Sequence, residues 1–260
     1  MSVWDVYQDR IEASGESKRK ASFNREVRYL NNKLRSTLSY HLVDIDGVKR
    51  EVAITDSDNL NEKTIYSMPE EDIRCGSLVS WMNQYWLVTE RDANSEIYCR
   101  AKLTQCNHLL KWVDDDDVIH EQWCVIEDGT KYLTGEYEDR KFIVTRGDSR
   151  IAMTIARNKD TVKFCRESRF LIDDPDSTDK LAYLLTKPLK TGLVYQGDGV
   201  YKFVLQEVVS TPDDDMELGI ADYYKHFPKS PYDEANKVTE GDPIIDPDNN
   251  INDNGKKVWL

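Results

Sequence analysis

Cys99, Cys106, His108, His120 and Cys124 fall within one stretch of 26 residues, and thiolates with imidazoles are the donor set of tetrahedral zinc. A structural zinc site takes its ligands as two pairs, each about three to five positions apart, and the spacing here is wrong for that pattern at both ends together. Cys106 and His108 would share a face if their segment were a strand, because side chains alternate with period two. The spacing favours packed thiols and ordinary histidines, so neither a metal nor another cofactor is expected.

Oxygen donors are abundant in the acidic runs Asp114–Asp117, Asp173–Asp179 and Asp213–Asp215. Asp246–Gly255 has the acidic opening of a calcium loop but neither its sixth-place glycine nor its twelfth-place glutamate. Solvated turns are the better reading of all four. With 48 Asp and Glu residues, no one carboxylate pair stands out for acid–base hydrolysis. The chain has no Gly-x-Ser-x-Gly elbow. Tyr195-Gln196-Gly197-Asp198-Gly199 lacks the lysine and following helix of a phosphate loop. The expectation is that the protein is not an enzyme; a metal-dependent DNA-processing activity is the competing reading on that side.

Cations are concentrated rather than spread. Between Lys18 and Arg35 there are seven (Lys18, Arg19, Lys20, Arg25, Arg28, Lys33, Arg35) against the single acid Glu26, in a chain whose formal charge is -13. That balance excludes a protein whose whole surface grips nucleic acid. Lys18, Arg19, Lys20, Arg25 and Arg28 are candidate contacts to packaged DNA or to an acidic partner. The same segment also reads as a solvated helix burying Val27, Leu30 and Leu34.

The elements around these residues read mostly as strands. Val3, Trp4, Tyr7 and Ile11 have the spacing of a short amphipathic helix. Ser14–Asn24 reads as an extended arm or hinge. Ser39–Ile45 and Lys49–Thr55 form a hairpin about Asp46-Gly47, where both positions tolerate positive φ. Asp56–Asp72 reads as loop. Leu78–Trp81 and Tyr85–Thr89 flank Met82-Asn83-Gln84, and strands follow at Ile97–Gln105, His108–Val113, Val118–Ile126, Lys141–Arg146, Arg150–Arg157, Phe170–Ile172, Leu181–Thr186 and Val200–Val208. Turns about every ten residues suit antiparallel barrels or sandwiches. Trp86-Leu87-Val88-Thr89 before Ile97-Tyr98 echoes Tyr183-Leu184-Leu185-Thr186 before Val200-Tyr201. Two related modules or chance likeness both account for this echo, and the unequal gaps count against duplication.

At 39% hydrophobic and 10% aromatic, the 260-residue chain can build substantial cores without staples. Five cysteines form an odd set, which fits free thiols in a reducing compartment. No apolar run approaches a membrane span, and the first residues carry acids where a secretory signal would carry cations. The protein is expected to be soluble, made in the cytoplasm and without a membrane partner. Beyond Ser210 the chain turns acidic, and Pro228–Asn254 has a disorder-type composition. Trp and Tyr favour interfaces, so Trp4, Tyr7, Trp81, Tyr85, Trp86, Tyr223, Tyr224, Phe227 and Trp259 are the candidate protein contacts.

Gly76-Ser77-Leu78-Val79-Ser80-Trp81, Tyr85-Trp86-Leu87-Val88-Thr89, Ile97-Tyr98-Cys99-Arg100-Ala101 and Gln105-Cys106-Asn107-His108-Leu109-Leu110-Lys111-Trp112 together resemble virion structural proteins of long-tailed bacteriophages of Gram-positive hosts. Within these they are most similar to head-closure or head–tail connector proteins of the neck. The resemblance implies a β-barrel repeated in a ring beneath the portal, sealing DNA and meeting the tail, assembled in the host cytoplasm and carried in the virion. Its partners would be copies of itself, the portal or adaptor, tail proteins and packaged DNA, with Val3–Arg35 and Tyr223–Leu260 as the main contacts. A tail-tip or host-binding module is the alternative. The expected organisation is mainly β: a helix and basic arm over 1–36, a head-closure-like barrel over 37–126, a second β module over 127–210 and an acidic docking tail over 211–260, with extended arms at both ends.

Overall fold

Two tight turns reverse the chain in its first half. Asp46 (φ 52) with Gly47 (φ 82), and Met82 (φ 51) with Asn83 (φ 60), each place two successive residues in the left-handed region, the geometry whose twist matches flanking antiparallel strands. The Asp46 carboxylate also accepts the Leu78 N–H at 2.8 Å, tying the first turn to a later strand.

The computed structural model describes residues 3–4, 6–8, 17–69, 71–92, 96–128, 150–174, 176–195 and 197–228. Helix α1 (Lys18–Arg35) precedes the strands β1 (Tyr40–Ile45), β2 (Val48–Asp56), β3 (Glu62–Ser67), β4 (Leu78–Trp81), β5 (Gln84–Arg91), β6 (Arg100–Gln105), β7 (His108–Val113), β8 (Ile119–Asp128), β9 (Arg150–Ala156), β10 (Arg169–Leu171), β11 (Ala182–Tyr195) and β12 (Asp198–Val208). The single helical turn α2 (Tyr223–His226) follows. Residues 3–4 and 6–8 are also helical. The expected strand Lys141–Arg146 and the tail beyond Pro228 lie outside the described residues.

The first six strands pair antiparallel as β1-β2-β3-β6-β5-β4 and close into a barrel through Asp44↔Ser80 and Ile45↔Val79. The last six pair as β7-β8-β9-β12-β11-β10, the same path with each strand replaced by the one six places later. In this second sheet β10 lies beside β7 without a hydrogen-bonded ladder, leaving a seam where the first barrel is sealed. Trp86–Thr89 lies on β5 and Tyr183–Thr186 on β11, its topological counterpart, so the sequence echo falls on equivalent strands.

Alternation along the strands builds the cores. Val43, Ile45, Val52, Ile54, Ile65, Val79, Trp86, Val88 and Leu103 fill the first barrel. Leu110, Met153, Ile155, Phe164, Phe170, Leu185, Phe203 and Leu205 fill the second. A third cluster joins them: Cys75, Leu87 and Cys106 meet Val125 and Val200, with Leu78 and Trp123 against it. Trp86-Leu87-Val88 is apolar at three successive positions because β5 is covered on both faces.

Three expectations change. The stretch 56–72 contains a strand, β3, whose only large inward apolar side chain is the fully buried Ile65, too little periodicity to read in isolation. The basic segment is not an extended arm from Lys18 onward. The Ser17 hydroxyl caps α1 by accepting the Lys20 N–H, and half-buried Phe23, Val27, Leu30 and Leu34 line one face. Finally, a module boundary at 126 would divide β8 from its partners. Because β7 and β8 pair with β9, the chain passes between the sheets at Cys106–Asn107.

Candidate functional site

The β4–β5 hairpin carries three of the candidate interface aromatics, and strand alternation sends them to different places. Trp86 points into the barrel and is 3% exposed, so it is a core residue and not a contact surface. Its indole N–H finds no acceptor among the described residues. Trp81 is half-buried at the barrel mouth, with ring centroids 5.9 Å from Trp86 and 5.1 Å from His41. Tyr85 points outward and stacks on Trp123 of β8 at 4.6 Å, their planes 19° apart. It therefore serves the contact between the two sheets. At the tip, Met82 is exposed.

The junction behind Tyr85 encloses a groove of about 310 Å³ whose walls include Asp46, Arg74, Trp123, Arg157, Asn158 and Asp198. Charges of both signs line it: Arg74 Nε lies 4.0 Å from Asp198, while the Arg157 guanidinium donates to the Gly197 backbone carbonyl. The Cys75 thiol on its wall is pushed up to about 11 by burial, with Glu90 and Asp198 adding to the shift. It is therefore protonated at neutral pH and a poor nucleophile.

The Cys and His residues singled out by spacing do not gather into one site, although His108 faces Cys124 across the β7–β8 ladder. Cys99 lies in the first core and Cys124 in the second, while Cys106 lies between them. Burial raises the Cys106 thiol to about 12. His120 instead pairs with Asp114 at 3.1 Å and stacks on Trp112. Among the described residues no three Cys, His, Asp or Glu side chains are grouped to hold a metal ion.

All five candidate cations of the basic segment are exposed on α1. Arg19 reaches back to Glu96 (3.1 Å) and Arg35 to Glu51 (2.6 Å), pinning the helix to the first barrel at both ends. At 100° per residue, Lys18 and Arg25 lie opposite the half-buried stripe, with Arg28 and Tyr29 to either side of them and Lys33 on the flank of the helix. The Lys33 ammonium stands 5.5 Å from the Tyr29 ring centre.

Beyond β12 the chain forms a strap over residues 209–228. Arg169 of β10 anchors it with a pair of short contacts, to Asp214 at 2.8 Å and Asp222 at 2.6 Å, and the Asp214 side chain is fully buried. Tyr223 packs on Tyr224 and Phe227, and the Tyr224 hydroxyl donates to Asp215. All three rings are half-buried. His226 Nδ1 lies 2.8 Å from Asp117 in the β7–β8 turn. The acidic runs act as turn staples as well as solvated charge. The Asp114 carboxylate accepts the Asp116 and Val118 N–H groups, and that of Asp215 accepts the Glu217 and Leu218 N–H groups. Trp4 and Tyr7 are exposed on the first helical residues, at 73% and 56%. Trp259 lies outside the described residues.

Sequence reasoning missed Trp123 and Arg169. Trp123-Cys124-Val125-Ile126 is apolar throughout, the signature of a strand covered on both faces. Arg169 carries no local signal, because its partners lie more than forty positions downstream.

No helix among the described residues is long and apolar enough to cross a membrane. No curated protein matches the chain. Among solved structures it is similar to MrkH, described as a c-di-GMP-dependent transcription regulatory factor, at 10% identity and a TM-score of 0.22, over 75% of this chain and 83% of that one. That likeness is too distant to bear on fold or function. Residues 18–105 match the family model of the YomX N-terminal domain, a span running from the first residue of α1 to the last of β6. The matched unit is thus the helix together with the closed barrel, and the phage-type family that the model describes suggests a phage protein.

Proposed function

We propose that this chain is a structural component of a tailed-phage virion, repeated as a ring in the neck that closes the DNA-filled head and joins it to the tail. The observation that carries the reading is the coincidence just described: the phage-type match covers one complete folded unit, α1 with β1–β6. A closed barrel leaves no free sheet edge to aggregate and is a stiff building block for a ring. The second sheet is welded to it through Tyr85, Trp123 and the shared apolar cluster. Candidate contacts to neighbours remain at the periphery: Trp4 and Tyr7 near the start, the Met82 tip, the cations of α1 and the strap aromatics.

The test mixes the purified protein with DNA-filled capsids that lack tails and examines them by negative-stain microscopy. Rings seated at the portal vertex are expected. A protein that neither forms rings nor decorates that vertex, or that turns over a small molecule as a monomer, overturns the proposal.

A further inference from the structure

The molecule is electrically divided along its length. One pole is α1, which holds Lys18 and Arg25 on its outward face, Arg28 beside them and Lys33 on the flank, over about 22 Å at ~1.5 Å of rise per residue. Lys18, Arg19 and Lys20 occupy the first turn, where no acid is present and where cations oppose the helix dipole. Folding of the helix does not call for them there. The ion pairs that Arg19 and Arg35 make to the first barrel engage the flanks of the helix and leave this face outward.

The opposite pole lies on the second sheet. The strap connects two acidic loops: Lys180, at the end of the β10–β11 loop, donates to the Met216 carbonyl, and His226 meets Asp117 in the β7–β8 turn. Along this line Asp115, Asp116, Asp174, Asp176, Asp179 and Glu217 are exposed. The carboxylates form a belt on the module that does not carry α1.

We propose that the cationic face of α1 docks on the acidic belt of a second copy of this chain. The contact is heterologous, joining the first module of one copy to the second module of the next, and such a contact closes into a ring when its rotation permits. The inference rests on the ring reading above and names its interface. Nucleic acid fits less well, because the chain outside the Lys18–Arg35 segment carries a strongly negative net charge, which repels phosphates. A second copy of the chain is attracted by that same charge.

Sedimentation velocity across a concentration series tests the contact in the full chain. The triple variants Lys18→Glu/Arg25→Glu/Lys33→Glu and Asp115→Lys/Asp116→Lys/Glu217→Lys are each expected to weaken self-association by at least about tenfold. The chain carrying both sets is expected to regain it to within roughly threefold, since swapping both charges restores complementarity. Circular dichroism checks that each variant folds. Parent rings that neither triple disturbs would overturn this interface while leaving the ring reading intact. A parent that stays monomeric at every concentration would overturn this interface, while the ring reading is decided separately by decoration of the portal vertex. Loss of binding to duplex DNA in the helix variant, with self-association unchanged, would reassign α1 to nucleic acid and overturn the proposal.

Discussion

A methyl group on Gly76 would stand 2.4 Å from the carbonyl oxygen of Gly199. The approach to β4 and the start of β12 therefore touch backbone to backbone across the junction of the two sheets. Gly76 also has φ +91, where a side chain is strained in any surroundings. Together with the Tyr85–Trp123 stack, this contact makes the paired sheets one body rather than beads on a linker.

Gly76→Ala is accordingly expected to lower stability by about 2 kcal/mol or more, from backbone strain at positive φ plus the forced separation. Urea unfolding measures it. A variant as stable as the parent would show that the sheets do not meet there.

Removing the Arg169 guanidinium should release the strap. Arg169→Met leaves Asp214 buried without its cation, a loss of about 3–5 kcal/mol for a broken buried pair. Limited proteolysis is expected to cut the strap of this variant while the two sheets stay resistant. Equal resistance of parent and variant would mean that the strap is held by other contacts.

Acid should destabilise the fold in a specific window. Hydrogen bonding from the Val118 N–H holds the Asp114 carboxyl below the usual carboxylate range, against burial, with His120, Lys163 and the Asp116 N–H helping. For Asp214, burial pushes the carboxyl up, but the Thr211 and Asp222 N–H groups and Arg169 outweigh it and hold it low. A carboxyl depressed in the folded state contributes stability above its unfolded pKa of about 4, and that contribution fades as pH falls toward the folded value. Unfolding midpoints should thus be flat near neutrality and drop below about pH 4. Asp114→Asn should be less stable at neutral pH and lose less on acidification; the same pH slope as the parent would count against this account.

Thiol titration separates the cysteines. Cys75, Cys99, Cys106 and Cys124 are buried and Cys165 is exposed. An aromatic disulfide reagent should consume one thiol per native chain quickly, and all five only in denaturant. Fast reaction of more than one would place a second thiol at the surface.

How much of this was legible beforehand depended on the range of the interaction involved. Asp46-Gly47 announced its hairpin because both residues tolerate positive φ, whereas the Met82-Asn83 turn was marked by the strand patterns on either side of it. The bounds of β4 and β7 followed from alternation alone. β3 did not, since Lys63, Thr64 and Tyr66 read as polar until Ile65 is placed in a barrel wall. For α1, the Val27, Leu30 and Leu34 spacing supported a helix, while the Ser/Lys/Arg-rich composition of Ser14–Asn24 read as an extended arm or hinge and concealed its first turns. Trp81, Tyr85 and Trp86 looked alike as aromatics, yet one lines the barrel mouth, one stacks on Trp123 and one is core.

The amino-acid order by itself determined the β character, the turns, the uneven charge and the free thiols, all of which arise from each residue and its immediate neighbours. Tertiary structure decided that the chain changes sheets at Cys106–Asn107, that one sheet closes and the other keeps a seam, and that Arg169 reaches Asp214 and Asp222. Those outcomes depend on ladder register and on groups brought together from distant positions. Their energies exist only once the strands have paired.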